Sequence, residues 1–94
     1  MIESEKYLEP KFKNAIKRKG GICLKIAYVF IGMPDRICLM PGGIIFFAEI
    51  KTTGFQPSKV QLSVHNRLRR LGFNVYIVDS SEIIKKLTGD DVSI

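Results

Sequence analysis

Apolar residues at Leu8, Phe12, Ala15 and Ile16 recur at i, i+4, i+7 and i+8, which places them on one face of a helix over residues 4 to 19. Lys11, Lys13, Lys17, Arg18 and Lys19 load the other positions, and Gly20-Gly21 ends the helix. Pro10 is discordant, because a proline inside a helix removes a hydrogen bond and crowds the preceding turn. The regular helix is therefore expected to start near Leu8 or Glu9, with residues 1 to 7 irregular. Ile22 to Phe30 (ICLKIAYVF) is rich in β-branched and aromatic residues and predicts a strand. Gly32-Met33-Pro34 signals a turn, Arg36 to Met40 a short strand, and Pro41-Gly42-Gly43 a hairpin connection to a strand over Ile44 to Lys51. Residues 44 to 48 (IIFFA) are apolar at every position, the pattern of a central strand covered on both faces.

After a loop over Thr52 to Pro57, Ser58 opens a second helix, with Gln61 placed to complete a capping box. Val60, Val64, Leu68 and Leu71 would form its buried stripe, and Gly72 stops it. Phe73 to Val78 is a further strand. Ser80 caps a last helix over Ser81 to Leu87, and the tail TGDDVSI is expected to fray. The order is α-β-β-β-α-β-α. Three strands joined by short turns and then a strand-helix-strand unit predict an α/β fold, a small mixed sheet flanked by helices.

Composition narrows the class. Ninety-four residues make a single domain, 1–94, and 46% hydrophobic content argues for a folded core. No apolar run approaches the ~18–20 residues of a membrane span, so no membrane association is expected. The N-terminus lacks the regions of a signal peptide, so the expected compartment is the cytoplasm. Cys23 and Cys38 lack CxxC spacing, and with His65 alone they do not make a zinc site; free thiols are expected. Fifteen Lys+Arg against nine Asp+Glu give a net charge of +6, which suits a polyanionic partner.

The chemistry concentrates between Gly32 and Lys51. Side chains alternate faces along a strand, so Glu49 and Lys51 point the same way and Ile50 the other. In a hairpin of the two strands, Asp35 falls opposite the end that carries residues 49 to 51. Strands lie about 4.8 Å apart, so the carboxylates of Asp35 and Glu49 can share one ion. Mg²⁺ or Mn²⁺ is the natural choice, because such hard cations keep several waters beside one or two carboxylates. The main-chain carbonyl of Ile50 is a further oxygen donor, and Lys51 a compact charge that orients water or offsets phosphate. A lone Glu-x-Lys at a strand end is most often a solvated pair. Pro-Asp at the head of one strand and Glu-x-Lys at the end of the next is far more specific. Lys25, Arg36, Lys59, Arg67, Arg69 and Arg70 are candidate phosphate contacts, although arginines also favour a helix C-terminus for its dipole. A lone histidine such as His65 is more often structural than a general base.

The segments GMPDRICLMPGG, FFAEIKTTG and PSKVQLSVHNRLRRLGFNVYIVDS resemble the VRR-NUC family of the PD-(D/E)XK nuclease superfamily over roughly residues 5 to 87. The resemblance implies a restriction-endonuclease-like core and an active site of Asp35, Glu49, Lys51 and Gln61. It also implies an acid from the first helix, at Glu9 or, one turn earlier, Glu5. Stand-alone members are similar to Holliday-junction resolvases, which implies a homodimer acting on branched DNA. Two rival classes remain open from sequence: a non-catalytic nucleic-acid-binding module with a nuclease-like fold, and a small basic subunit of a larger assembly.

Overall fold

The computed structural model describes residues 1–89. Helix α1 covers Glu5–Arg18, strand β1 Ile22–Lys25, and strand β2 Arg36–Met40. A single 3-10 turn at Pro41–Gly43 leads into strand β3, Ile44–Ile50. Helix α2 (Lys59–Arg70), strand β4 (Asn74–Val78) and helix α3 (Ser81–Thr88) follow. Among the described residues the strands form one sheet in the order β1-β2-β3-β4. The first two pairings are antiparallel, and β3 pairs with β4 in parallel. The parallel pair is joined by α2, as the α/β reading expects.

The core lies between the sheet and the α1/α3 layer. Leu8, Phe12, Ala15 and Ile16 of α1 are fully buried against Cys38, Phe46, Ala48, Ile50 and Val78, with Ile84 of α3. Phe46 and Tyr76 meet edge-on at 5.5 Å between ring centroids. Cys23 and Cys38 are direct cross-strand partners, both free.

Several expectations are corrected. Helix α1 begins at Glu5 and runs through Pro10. The Ser4 hydroxyl accepts from the Tyr7 N–H, and Thr52 and Thr53 hydroxyls hold the Glu5 and Glu3 N–H groups. The start is thus pinned by capping and tertiary bonds, and Pro10 sits on the exposed face, where water reaches the carbonyl it leaves unpaired. Strand β1 stops at Lys25, opposite the first residue of β2. The Ile26 N–H still reaches the Asp35 carbonyl, but the chain then turns, with Val29 N–H bonded to Ile26 O and Met33 N–H to Phe30 O. Strand propensity over residues 26 to 30 yields to the lack of a partner strand. Gly32 closes this loop against α2 at φ +90°, where an added Cβ would meet Val64 at 2.7 Å.

The third correction concerns α2. Val60 and Leu71 are exposed and Val64 and Leu68 only half-buried, while His65 is the buried residue of this helix. The fourth concerns β3, whose residues 46 to 50 are buried but whose Ile44 and Ile45 are exposed. On the α2 face the helix reaches Glu49 at one end of β3 and leaves Ile45 exposed near the other, while Ile44, on the opposite face, lies beyond the α1 core. Thr88, expected in a frayed tail, is a buried residue of α3; residues 90 to 94 of that tail lie outside the described ones. No helix among the described residues is long and apolar enough to cross a membrane.

Candidate active site

The antiparallel register Arg36↔Ala48 brings Asp35 level with residues 49 and 50. There the side chain of Asp35 takes over from the backbone ladder, its Oδ2 accepting the Ile50 N–H at 2.9 Å. Pro34, buried before it, holds the chain extended on entry. Glu49 projects from β3 to the α2 face and is 1% exposed. Its Oε2 accepts from Gln61 Nε2 at 3.0 Å, and its Oε1 lies 3.3 Å from His65 Nε2. Lys51 Nζ stands 3.9 Å from Glu49 Oε2. The Asp35 carboxylate stands near enough for its charge to act on the Glu49 carboxyl.

Burial pushes the Glu49 carboxyl up to about 8, and the neighbouring Asp35 charge adds to that rise while Lys51 opposes it. Two carboxyl groups crowded in a dry pocket with one partly offsetting ammonium is an electrostatic arrangement that a divalent cation relieves. Among the described residues no set of three His, Cys, Asp or Glu converges to hold a metal. The oxygen groups there that could hold a cation are the carboxylates of Asp35 and Glu49 and the main-chain carbonyl of Ile50. That set fits Mg²⁺ or Mn²⁺, which are satisfied with one or two carboxylates and water, and does not fit zinc.

Gln61 serves two purposes at once. Its Oε1 accepts from the Ser58 N–H at 2.8 Å while the Ser58 hydroxyl accepts from the Gln61 N–H at 3.2 Å, completing the capping box. The remaining amide nitrogen is left free to hold Glu49. The helix cap thus fixes the rotamer of a residue in the site.

Glu9 is elsewhere. Its Oε2 pairs with Arg36 at 2.7 Å on the α1 side of the sheet, where Arg36 is 8% exposed. Arg36, read as a phosphate contact, is therefore a buried partner of Glu9. The acid of α1 whose charge reaches Glu49 is Glu5. Lys25, Lys59, Arg67 and Arg70 are exposed, and Arg69 ties its guanidinium to the Val75 carbonyl and to Asn66. Sequence reasoning missed the His65–Glu49 contact. The available signal was the i, i+4 spacing from Gln61, which puts both on one face of α2.

The chain is 36% identical over 84 residues to "Putative nuclease p44" of Acyrthosiphon pisum secondary endosymbiont phage 1, a match spanning 84% of this chain and 86% of that protein. Its fold is similar to a solved structure of a "VRR_NUC domain", with a TM-score of 0.84 and 29% identity, covering 95% of this chain and 99% of that one. No protein-family model matches the sequence.

Proposed function

This chain belongs to the VRR-NUC family of nucleases, and we propose on that premise that it is a Mg²⁺- or Mn²⁺-dependent DNA endonuclease that cuts four-way junctions as a homodimer. The observation that carries the reading is the meeting of Asp35, Glu49, Lys51 and Gln61 at one end of the sheet. Asp35 and Glu49, with the Ile50 carbonyl, would hold the cation. When bound, such a cation lowers the pKa of a water and neutralises charge on the scissile phosphate.

The protein's own groups do the rest. The Ile50 N–H fixes Asp35. Gln61 fixes Glu49 from the helix cap. Lys51, whose side chain is 21% exposed, reaches from the dry pocket to the solvent edge, where it orients the attacking water or offsets phosphate charge. Glu5 is the acid that α1 contributes, in place of Glu9. The net charge of +6 and the exposed Lys25, Lys59, Arg67 and Arg70 supply phosphate contacts without base readout, so selectivity would rest on DNA shape.

The homodimer has a physical motive. One chain carries one site, and symmetric cutting of two strands requires two sites related by a two-fold axis. Tyr28, Val29, Phe30 and Ile31 are between 55% and 83% exposed beside the exposed Val60 and Leu71 of α2, an apolar surface of the kind that marks an interface.

A cleavage panel of duplex, flap, single-stranded and four-way junction DNA tests the proposal. Cleavage with Mg²⁺ or Mn²⁺, its loss in EDTA, and its loss in Asp35→Ala and Lys51→Ala are expected, with the junction cut fastest. Junction binding with no cleavage in any metal would instead establish a non-catalytic binding module.

A further inference from the structure

Helix α2 is held to the sheet in an unusual way. Its apolar residues Val60, Val64, Leu68 and Leu71 are exposed or half-buried, and the residue it buries completely is His65, at 0% exposure. One ring nitrogen meets Glu49, with Nε2 3.3 Å from Oε1. The other ring nitrogen, Nδ1, is buried without a hydrogen-bond partner. A dry imidazole with one nitrogen unpaired is a net cost that an aliphatic side chain of similar size would avoid. Stability alone does not explain its presence.

The second oxygen of the same carboxyl group is held by Gln61, one turn earlier on α2. A hydrogen on Nε2 lets the ring donate to Oε1 while the Gln61 amide donates to Oε2. The carboxylate is then gripped at both oxygens by a helix whose start is locked by the Ser58 cap. We infer that His65 is a positioning residue that, with Gln61, fixes the orientation of Glu49 toward Asp35 and so preorganises the cation site. This rests on the nuclease reading above. Groups that orient a metal-binding carboxylate commonly contribute ten- to a hundredfold in metal affinity. The effect belongs to affinity for the cation and not to the chemical step.

The test uses the full chain and Mn²⁺ as the probe, with binding read from the electron paramagnetic resonance signal of free Mn²⁺ and stability from thermal unfolding of the metal-free protein. His65→Leu should weaken Mn²⁺ binding by about ten- to a hundredfold, with an unchanged or higher Tm. Cleavage should return to within a few-fold of the native rate once Mn²⁺ is saturating. His65→Gln, which keeps an amide donor, should retain most of the affinity. Unchanged Mn²⁺ affinity in His65→Leu overturns the inference. So does a fall in affinity that tracks a fall in Tm in both variants, because that is the signature of a merely structural residue. If the native chain itself neither binds Mn²⁺ nor cleaves DNA, the nuclease reading fails first and this inference with it, an outcome visible before any variant is made.

Discussion

Replacing Glu49 by glutamine removes the ionisable proton from the most buried carboxyl group of the site while keeping its shape. Burial, reinforced by the Asp35 charge, raises this group from 4.5 to about 8 in the folded protein. The sign follows from proton counting. Between those two values the native chain holds a proton that the unfolded chain has released, so stability must fall as pH rises. The stability is fully present below about 4.5 and is lost as pH rises toward 8. At 1.36 kcal/mol for each pH unit, the loss between pH 5 and pH 8 is about 3 to 4 kcal/mol. A domain of this size has only about 5–10 kcal/mol in total, so the effect is large. Glutamine cannot ionise, and the stability of Glu49→Gln should hold where the native protein weakens.

Urea unfolding followed by circular dichroism at pH 5, 6, 7 and 8, without metal, reads the difference directly. Groups away from the site are common to both proteins, so their gap reports on Glu49 together with the Asp35 charge coupled to it. The gap should widen by those few kcal/mol in favour of the variant. Saturating Mn²⁺ at a hundred times its Kd should then return about 2.7 kcal/mol to the native protein and far less to the variant. A gap that stays constant between pH 5 and pH 8 would refute the claim that Glu49 is a charge held in a dry, crowded pocket.

The two acids of α1 should separate cleanly. Glu9→Ala strands the buried Arg36 guanidinium and should cost roughly 2 kcal/mol or more in thermal unfolding, with cleavage per folded molecule unchanged; Glu5→Gln should do the reverse, and equal loss of cleavage in both would contradict the assignment. Ser58→Ala removes the helix cap and should cost about 1 kcal/mol. It should also slow cleavage several-fold, because Gln61 loses the anchor that aims it at Glu49; a stability loss with no change in rate would show that the cap and the site are independent. Ile31→Lys, at the most exposed position of the apolar loop, should shift light-scattering mass from dimer to monomer and abolish paired cutting of junctions; an unchanged mass would remove that loop from the interface.

The hairpin that carries Asp35, Glu49 and Lys51 was readable because two simple rules decide it. Side chains alternate along a strand, and a short turn fixes which residues face each other. The Gln61 cap was readable from its spacing to Ser58, and in the structure the same amide also donates to Glu49. Other features depend on partners that no local pattern encodes. The segment ICLKIAYVF has strand propensity throughout, yet pairing ends at Lys25 because β2 begins at Arg36. The stripe on α2 reads as buried, but the helix covers only part of the sheet and leaves Val60 and Leu71 in solvent. Glu9 and Glu5 lie one turn apart on the same helix and differ only in what stands opposite them. Arg36 claims one, and the site receives the charge of the other. His65 could be put on the correct side of α2, but nothing in the sequence says that Glu49 lies beneath it.

The turn between β2 and β3 has a bearing on how this molecule can be altered. Pro41 to Gly43 is exposed, and added Cβ atoms at Gly42 and Gly43 would meet nothing within 4 Å. At about 3.4 Å per residue, the five residues back along β2 to Asp35 put the turn some 17 Å from the acids. A longer loop there would leave the pairing of both strands intact. The strands that set the spacing of Asp35 and Glu49 are thus joined at the end where length is least constrained. A fluorophore, an affinity tag or a whole folded module spliced between Gly42 and Gly43 should ride on the far side of the sheet and leave the carboxylates in register.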